Sequence, residues 1–372
     1  MPLELYTPGH NLVTDSLIMH GIVRYLIWAG ARHGSVERIG ERFKIIINDD
    51  INEDKAISEL VRLQRQCIST VNLGEPVGLF LRKVWASNVN EQKQIFSAWV
   101  NSLSQSITTF KSIKINIYKD VNHIVKNNEG RKPSKAKSRR KSSRVDSVDL
   151  PVYLPLGPIY GKYLSKDYVA KENIQYRVCP ACFLMANMGL VYGTFILRVN
   201  KVNKVSSIMV TLIPSSKADL IDIMLIQRAF EYNYREFNID IPILAAPLIA
   251  LSFGETLYAF ENMDALIWIY ERSGIFMRIP NYIQVNIEEL LKAISGIKYY
   301  IPQWPKILND CLLENEDGSI ILAELSEIII NNMVKDNIYS ITREITKFLK
   351  DKKTCVMYLN VIKSLVNALA EL

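Results

Sequence analysis

Histidine is scarce. Only four stand among the 372 residues, and none neighbours an aspartate. The phosphate-cradling patterns GxxxxGKS/T and GxGxxG are missing, as are the nucleophile elbow GxSxG and the zinc pattern HExxH. The nearest thing to a metal-hydrolase cluster is His10, Asp15 and His20. His20 lies five residues from Asp15, roughly 140° away around a helix, so the two do not share a face. His10 precedes the helix. These absences argue against a common hydrolase or nucleotide-dependent enzyme, and the chain is expected to be non-catalytic, with no cofactor.

Cysteine is also sparse: Cys67, Cys179, Cys182, Cys311 and Cys355. An odd count spread this widely does not suggest a disulfide framework, and a reducing, cytoplasmic setting is the simpler expectation. Cys311 and Cys355 read as isolated thiols. The start, Met1-Pro2-Leu3-Glu4, shows no basic segment leading into an apolar run, so no signal peptide is expected. One window, Val178 to Leu197, has no charged residue and approaches bilayer-spanning length. Pro180, Gly189 and Gly193 interrupt it, and its second half is β-branched and aromatic. It reads as a buried helix–strand corner rather than a membrane span.

What is present in excess is positive charge in one place. The net charge is +7. Between Lys126 and Val145 there are nine cations and one acid, Glu129; the rest of the chain holds 36 cations and 37 acids. One short segment therefore carries the whole surplus. Its residues Arg131, Lys132, Lys135, Lys137, Arg139, Arg140, Lys141 and Arg144 alternate with serine, glycine and a proline, without apolar periodicity. Such a run reads as a flexible insertion. Closely spaced cations displace condensed counterions from a polyanion, which gives affinity without base preference. A solvated basic loop, an acidic-lipid contact or an import signal would have similar composition.

An α+β fold is expected: a mixed N-terminal region (1–125), the basic insertion (126–147), a central region with short antiparallel hairpins (148–286) and a C-terminal helical bundle (287–372). Apolar spacing predicts a helix over Asn11–Ala29 that Gly30 stops. Strands are predicted at Val36–Ile39, Arg42–Ile47 and Ile113–Tyr118, and helices at Glu53–Ile68, Pro76–Ala86 and Glu91–Thr108. Gly193–Val199 with Val205–Ile213 reads as a hairpin, as does Leu266–Glu271 with Ile275–Ile279. Lys217–Asn238 reads as one helix. The C-terminal helices are expected at Ile287–Ser295, Trp304–Leu313, Ile320–Lys335, Ile338–Lys350 and Cys355–Leu372, with Glu314–Gly318 a polar break.

Three weaker candidates remain. Arg24, Arg32 and His33, with Arg38, gather around the end of the first helix and could meet phosphate or form an ordinary exposed rim. Cys179-Pro-Ala-Cys182 has zinc-knuckle spacing but lacks a second pair of ligands. Two buried thiols is the favoured reading, with a redox pair and a zinc half-site as alternatives. Tyr299, Tyr300 and Trp304 could stack bases, although aromatics between helices more often pack in a core.

The opening run Tyr6-Thr7-Pro8-Gly9-His10-Asn11-Leu12-Val13-Thr14-Asp15-Ser16-Leu17-Ile18-Met19-His20-Gly21-Ile22-Val23-Arg24-Tyr25-Leu26, together with Val178-Cys179-Pro180-Ala181-Cys182-Phe183, resembles the large-subunit proteins of archaeal type I-A CRISPR interference complexes. The basic insertion, the helical C-terminus and the length agree in layout. The resemblance implies a non-catalytic subunit of a guide-RNA-containing surveillance complex. Such a subunit aids recognition of a motif flanking the target DNA, helps open the duplex, and recruits a helicase and a nuclease. Guide–target pairing then carries most of the sequence discrimination. Guide RNA, target DNA and the other subunits are the implied partners, with no membrane. A metal-dependent nucleic-acid-processing enzyme and a structural scaffold binding acidic protein are the competing classes.

Overall fold

The computed structural model describes residues 2–62, 103–120, 150–151, 177–201, 204–230, 234–254, 262–273, 276–278 and 282–370. The chain divides into two compact units, Met1–Val191 and Tyr192–Leu372. The fold is α+β, as expected. The basic insertion and the predicted helix Pro76–Ala86 lie outside the described residues.

In the first unit, β1 (Leu3–Tyr6) leads into α1 (Leu12–Trp28). Asn11 caps the helix by accepting the N–H of Thr14 at 2.9 Å. Gly30, at φ +103, ends the turn beyond it. Most of α1 is buried on every face, which marks a central helix rather than a surface one. β2 (Gly34–Ile39) and β3 (Arg42–Ile47) follow as an antiparallel hairpin, and β1 adds to the other edge of β3. Phe43, Ile45 and Ile47 point inward from β3, the alternation that its sequence shows.

Helix α2 (53–62) and helix α3 (103–113) complete this layer. Glu53 ties three elements together: its carboxylate accepts the hydroxyl of Tyr25 at 3.0 Å and the N–H of Ile115 at 3.2 Å. The ring of Tyr25 meets Phe110 edge-on with centroids 5.2 Å apart. The predicted strand Ile113–Tyr118 is instead a 3₁₀ turn over Ile115–Lys119. Lys114 sits at φ 59, which breaks extended backbone, and the buried residues are Ile115 and Tyr118. Three-residue spacing puts both on one side of a 3₁₀ turn; the sequence alternation had mimicked a strand. The short strands β4 (Leu150–Pro151) and β5 (Arg177–Val178) pair, and α4 (Pro180–Tyr192) starts directly after them.

The second unit opens with β6 (Thr194–Lys201) and β7 (Lys204–Pro214), the expected hairpin. The charge-free window is therefore the whole of α4 and the start of a buried strand. Among the described residues no helix is long and apolar enough to cross a membrane. The predicted single helix Lys217–Asn238 is replaced by strand β8 (Lys217–Asp219), helix α5 (Leu220–Phe230) and strand β9 (Tyr234–Phe237). β9 pairs in parallel with β6, Ile196 opposite Tyr234. An open sheet edge offered four residues a ladder, and this outweighed their capacity for helix.

After α6 (Ala245–Phe253), β10 (Met263–Ser273) fills the sheet centre beside β7. β11 (Phe276–Arg278) returns along its far end as expected, and β12 (Tyr282–Asn286), which the sequence did not suggest, pairs with its near end. The carboxylate of Asp264 holds this corner, accepting from Ser215 Oγ at 2.6 Å and Gln284 Nε2 at 2.5 Å.

The C-terminal bundle comprises α7 (Glu288–Tyr300), α8 (Trp304–Ile307), α9 (Glu316–Ile330), α10 (Val334–Asp351) and α11 (Leu359–Ala370). α8 runs on as a π-turn, Leu308–Leu312. Trp304 is fully buried and its indole N–H donates to Ser252 at 3.0 Å, so it is core. Lys298 donates to the carbonyls of Leu251 and Gly254 at the end of α6, satisfying acceptors that the helix leaves open. The predicted polar break at Glu314–Gly318 falls one turn early: Asn315 accepts the N–H of Gly318 and α9 begins there.

The expectation of isolated thiols at Cys311 and Cys355 is overturned. They form a disulfide across a sequence separation of 44, with Cα atoms 6.1 Å apart. The π-turn and the 3₁₀ turn at Val356–Tyr358 meet in space although they are distant in sequence. By loop closure, a bond spanning that separation disfavours the unfolded chain by about 4 kcal/mol.

Candidate nucleic-acid interface

Arg32 and His33 stand in the turn between α1 and β2, both exposed. Asp49 shapes that turn. Its carboxylate receives the backbone N–H of Arg32 at 2.5 Å and of His33 at 2.6 Å, and the His33 ring nitrogen Nδ1 at 2.9 Å. Those donors hold the Asp49 carboxyl down at about 2. Asp49 therefore fixes the main chain so that both side chains project, but it also places a negative charge on the His33 ring. Arg32 is left as the more available cation of the pair. Arg24 takes another course, its guanidinium lying 5.5 Å from the centroid of the Trp28 ring. Arg38 donates to the carbonyl of Gly40 at 3.0 Å. Of the four cations read from sequence as a cluster, His33, Arg24 and Arg38 thus each have a local side-chain partner, while Arg32 is held through its main chain. The eight basic-insertion residues named above lie outside the described residues.

Asp15 and His20, the tempting metal pair, are both fully buried in α1. Asp15 accepts the backbone N–H of Gly9 at 2.6 Å and of His10 at 3.3 Å, so it anchors the β1–α1 turn. His20 sits in the core of the first unit. Among the described residues no group of three or more His, Cys, Asp or Glu is arranged to hold a metal ion. Cys179 and Cys182 are adjacent at the start of α4, half-buried and buried respectively, and neither is in a disulfide.

A feature the sequence reading passed over lies on α10. Lys335, Tyr339, Arg343 and Lys347 recur every four residues and are all exposed, with Lys350 beside them on the same face. The acids of the helix border them: Asp336 follows Lys335, Glu344 lies three residues before Lys347, and Asp351 lies four after it. Glu344 faces Glu324 of α9 closely enough to raise the carboxyl of Glu324, burial contributing most. The exposed face of this helix is therefore cationic by a small margin, with Lys335, Arg343, Lys347 and Lys350 against Asp336, Glu344 and Asp351. Tyr339 is 75% exposed in the middle of the stripe, where burial gives it no structural task. Tyr299 is 80% exposed on α7, against the expectation that aromatics here pack in the core; its ring meets Tyr300 edge-on at 5.2 Å. Cations follow a phosphate chain, and an exposed aromatic ring stacks on a base. The signal was in the sequence as four-residue spacing, hidden because attention to a helix usually follows its apolar face.

The chain is thus an α+β protein with a helical C-terminal bundle and one concentrated basic segment in its sequence. The family model for CRISPR-associated protein (Cas_Csa4) matches residues 3–372. The chain belongs to that family. A CRISPR system associated protein Cas8 from Thermoproteus tenax is 30% identical over 338 residues, which is 82% of this chain and 84% of the relative. The resemblance to the large subunit of archaeal type I-A CRISPR interference complexes, first visible in the opening run and the CPACF segment, therefore holds, and with it a role in the interference complex beside other subunits.

Proposed function

We propose that the protein is the non-catalytic nucleic-acid-binding large subunit of an RNA-guided DNA surveillance complex in the cytoplasm. In this reading it contacts guide RNA and target DNA, aids recognition of the flanking motif and opening of the duplex, and offers a docking surface for the helicase and nuclease. The observation that carries the reading is charge placement: nine cations against one acid within Lys126–Val145, set in a chain otherwise at balance. Long-range attraction of that strength draws in a polyanion, and a near-neutral body leaves its remaining surface for protein neighbours. The exposed cations on α10 support the same reading.

The test is a salt titration of DNA and RNA binding by the intact protein and by a variant with Lys135, Lys137, Arg139, Arg140 and Lys141 changed to glutamine. Weaker binding with a shallower slope, by about one unit per lost duplex phosphate contact, is expected. Unchanged affinity and slope would remove the basic segment from the interface. Divalent-metal-dependent cleavage by the purified protein would overturn the non-catalytic assignment.

A further inference from the structure

We propose that Cys179 and Cys182 form a redox-active dithiol, in which Cys179 attacks a low-molecular-weight disulfide and Cys182 resolves the product into an internal disulfide. The proposal stands on how the CPAC segment is built. It lies between β5 and α4, and Pro180 is the first helical residue. Cys179 therefore occupies the capping position. Its carbonyl accepts the N–H of Phe183 at 3.0 Å, and its sulfur accepts the N–H of Cys182 at 3.5 Å. A sulfur accepting a first-turn amide at the positive end of a helix is held where a thiolate is favoured.

The two thiols differ in the way that an attacking and a resolving pair require. Cys179 is half-buried and reachable; Cys182 is 1% exposed and closed to a reagent in solution. Burial, with the neighbouring Cys179 sulfur, pushes the Cys182 thiol well above its ordinary range, so it stays protonated until its turn comes. Tyr118, itself fully buried, donates its hydroxyl to Cys182 Sγ at 3.8 Å. That donor favours the anion on Cys182 as its proton leaves.

The chemistry closes with a small disulfide as oxidant. The Cys179 thiolate displaces one sulfur of the reagent, forming a mixed disulfide and releasing one thiolate. Cys182 then attacks the Cys179 sulfur, forming Cys179–Cys182, and its proton passes to the second thiolate as that group leaves, so the second half of the reagent departs as a thiol. Two electrons pass from the cysteine pair to the reagent. Helix α4 is pressed against α1 where Gly21 meets Met185 and Gly189 meets Leu17, with no room for a methyl group. The helix thus cannot swing to accommodate the new bond. The change is taken up at Cys179 and the chain before it, and the fold persists in both states.

The experiment equilibrates the full-length protein in glutathione buffers of graded ratio, traps thiols with acid and alkylation, and maps the cysteine peptides by mass. The wild type is expected to convert reversibly between a doubly alkylated and an internally bridged 179–182 peptide while Cys311–Cys355 stays bridged. Cys182→Ser should accumulate one glutathione on Cys179, and Cys179→Ser should leave Cys182 unmodified in the folded protein. Full alkylation of both thiols at every ratio, glutathione appearing on Cys182 first, or zinc retained by the pair and blocking both would each overturn the proposal. The wild-type arm decides the matter even if a serine variant fails to fold.

Discussion

Gly21 and Gly189 face each other across the crossing of α1 and α4, each lying beneath a carbonyl of the opposite helix. The carbonyl of Met185 covers Gly21, and the carbonyl of Leu17 covers Gly189, four residues along in each helix. The relation is reciprocal: each glycine makes room for the backbone one turn before the other. A methyl group at either position would overlap that carbonyl, and a carbonyl, unlike the end of a side chain, cannot move aside alone. Gly21→Ala and Gly189→Ala are each expected to destabilise the first unit by roughly 1–3 kcal/mol, the usual cost of overpacking a filled core. The double variant should cost less than the sum, because the first methyl group already separates the helices that the second would push apart. Urea unfolding of the four proteins in a double-mutant cycle measures this. Full additivity would show that the two positions do not share one crossing.

Neither the crossing nor its partners could be read from the sequence. Gly21 fell inside the predicted helix Asn11–Ala29 and Gly189 was read as a break in the charge-free window, since one glycine inside an apolar run says nothing of which backbone approaches it. The regions that were legible are those where a local rule decides: Asn11 before an apolar helix, Phe43, Ile45 and Ile47 alternating in β3, and the hairpin of β6 with β7. The readings that failed depended on distant partners. Tyr234–Phe237 became a strand because β6 had an open edge. Cys311 and Cys355 became a pair because a π-turn and a 3₁₀ turn converge. The basic segment was plain from composition alone, whereas the α10 stripe needed burial to show which face of the helix is free.

Asp15 makes the first unit sensitive to pH. Burial pushes its carboxyl up to about 8, against the pull of the Gly9 and His10 amides and of Arg42. Gly9 holds the turn at φ +90 beside the Arg42 guanidinium, a place where a side chain would be both strained and in collision. In the unfolded chain the same carboxyl ionises near its ordinary value of about 3.9. Between the two values the folded state binds the extra proton. The contribution to stability is therefore complete below about pH 4 and declines as pH rises toward about 8 and through it. Asp15→Asn removes this titration but keeps one acceptor for the turn. The Tm advantage of the wild type over Asp15→Asn is expected to shrink from pH 5 to about pH 8 and to level off above it, as read by thermal unfolding of both proteins. A constant difference would mean that Asp15 is ionised in the folded protein throughout.

The stripe on α10 predicts two separable effects on single-strand binding. Lys335, Arg343 and Lys347 act as charges toward phosphates, so glutamine at all three should lower the slope of log affinity against log salt by about 0.7 for each contact made on a single strand. Tyr339 acts through its ring. Tyr339→Ala should weaken binding by about 1–3 kcal/mol and leave that slope unchanged, because stacking releases no counterions. Tyr339→Phe should retain the affinity, since the ring face and not the hydroxyl makes the contact. Measuring both parameters on a homopolymer DNA of fixed length separates the roles. All of these side chains are exposed and without a structural burden in α10, so the variants are expected to fold as the parent does. If the triple glutamine variant binds with the parent's slope while the basic-segment variant does not, α10 faces a protein neighbour and the nucleic acid is held by Lys126–Val145 alone.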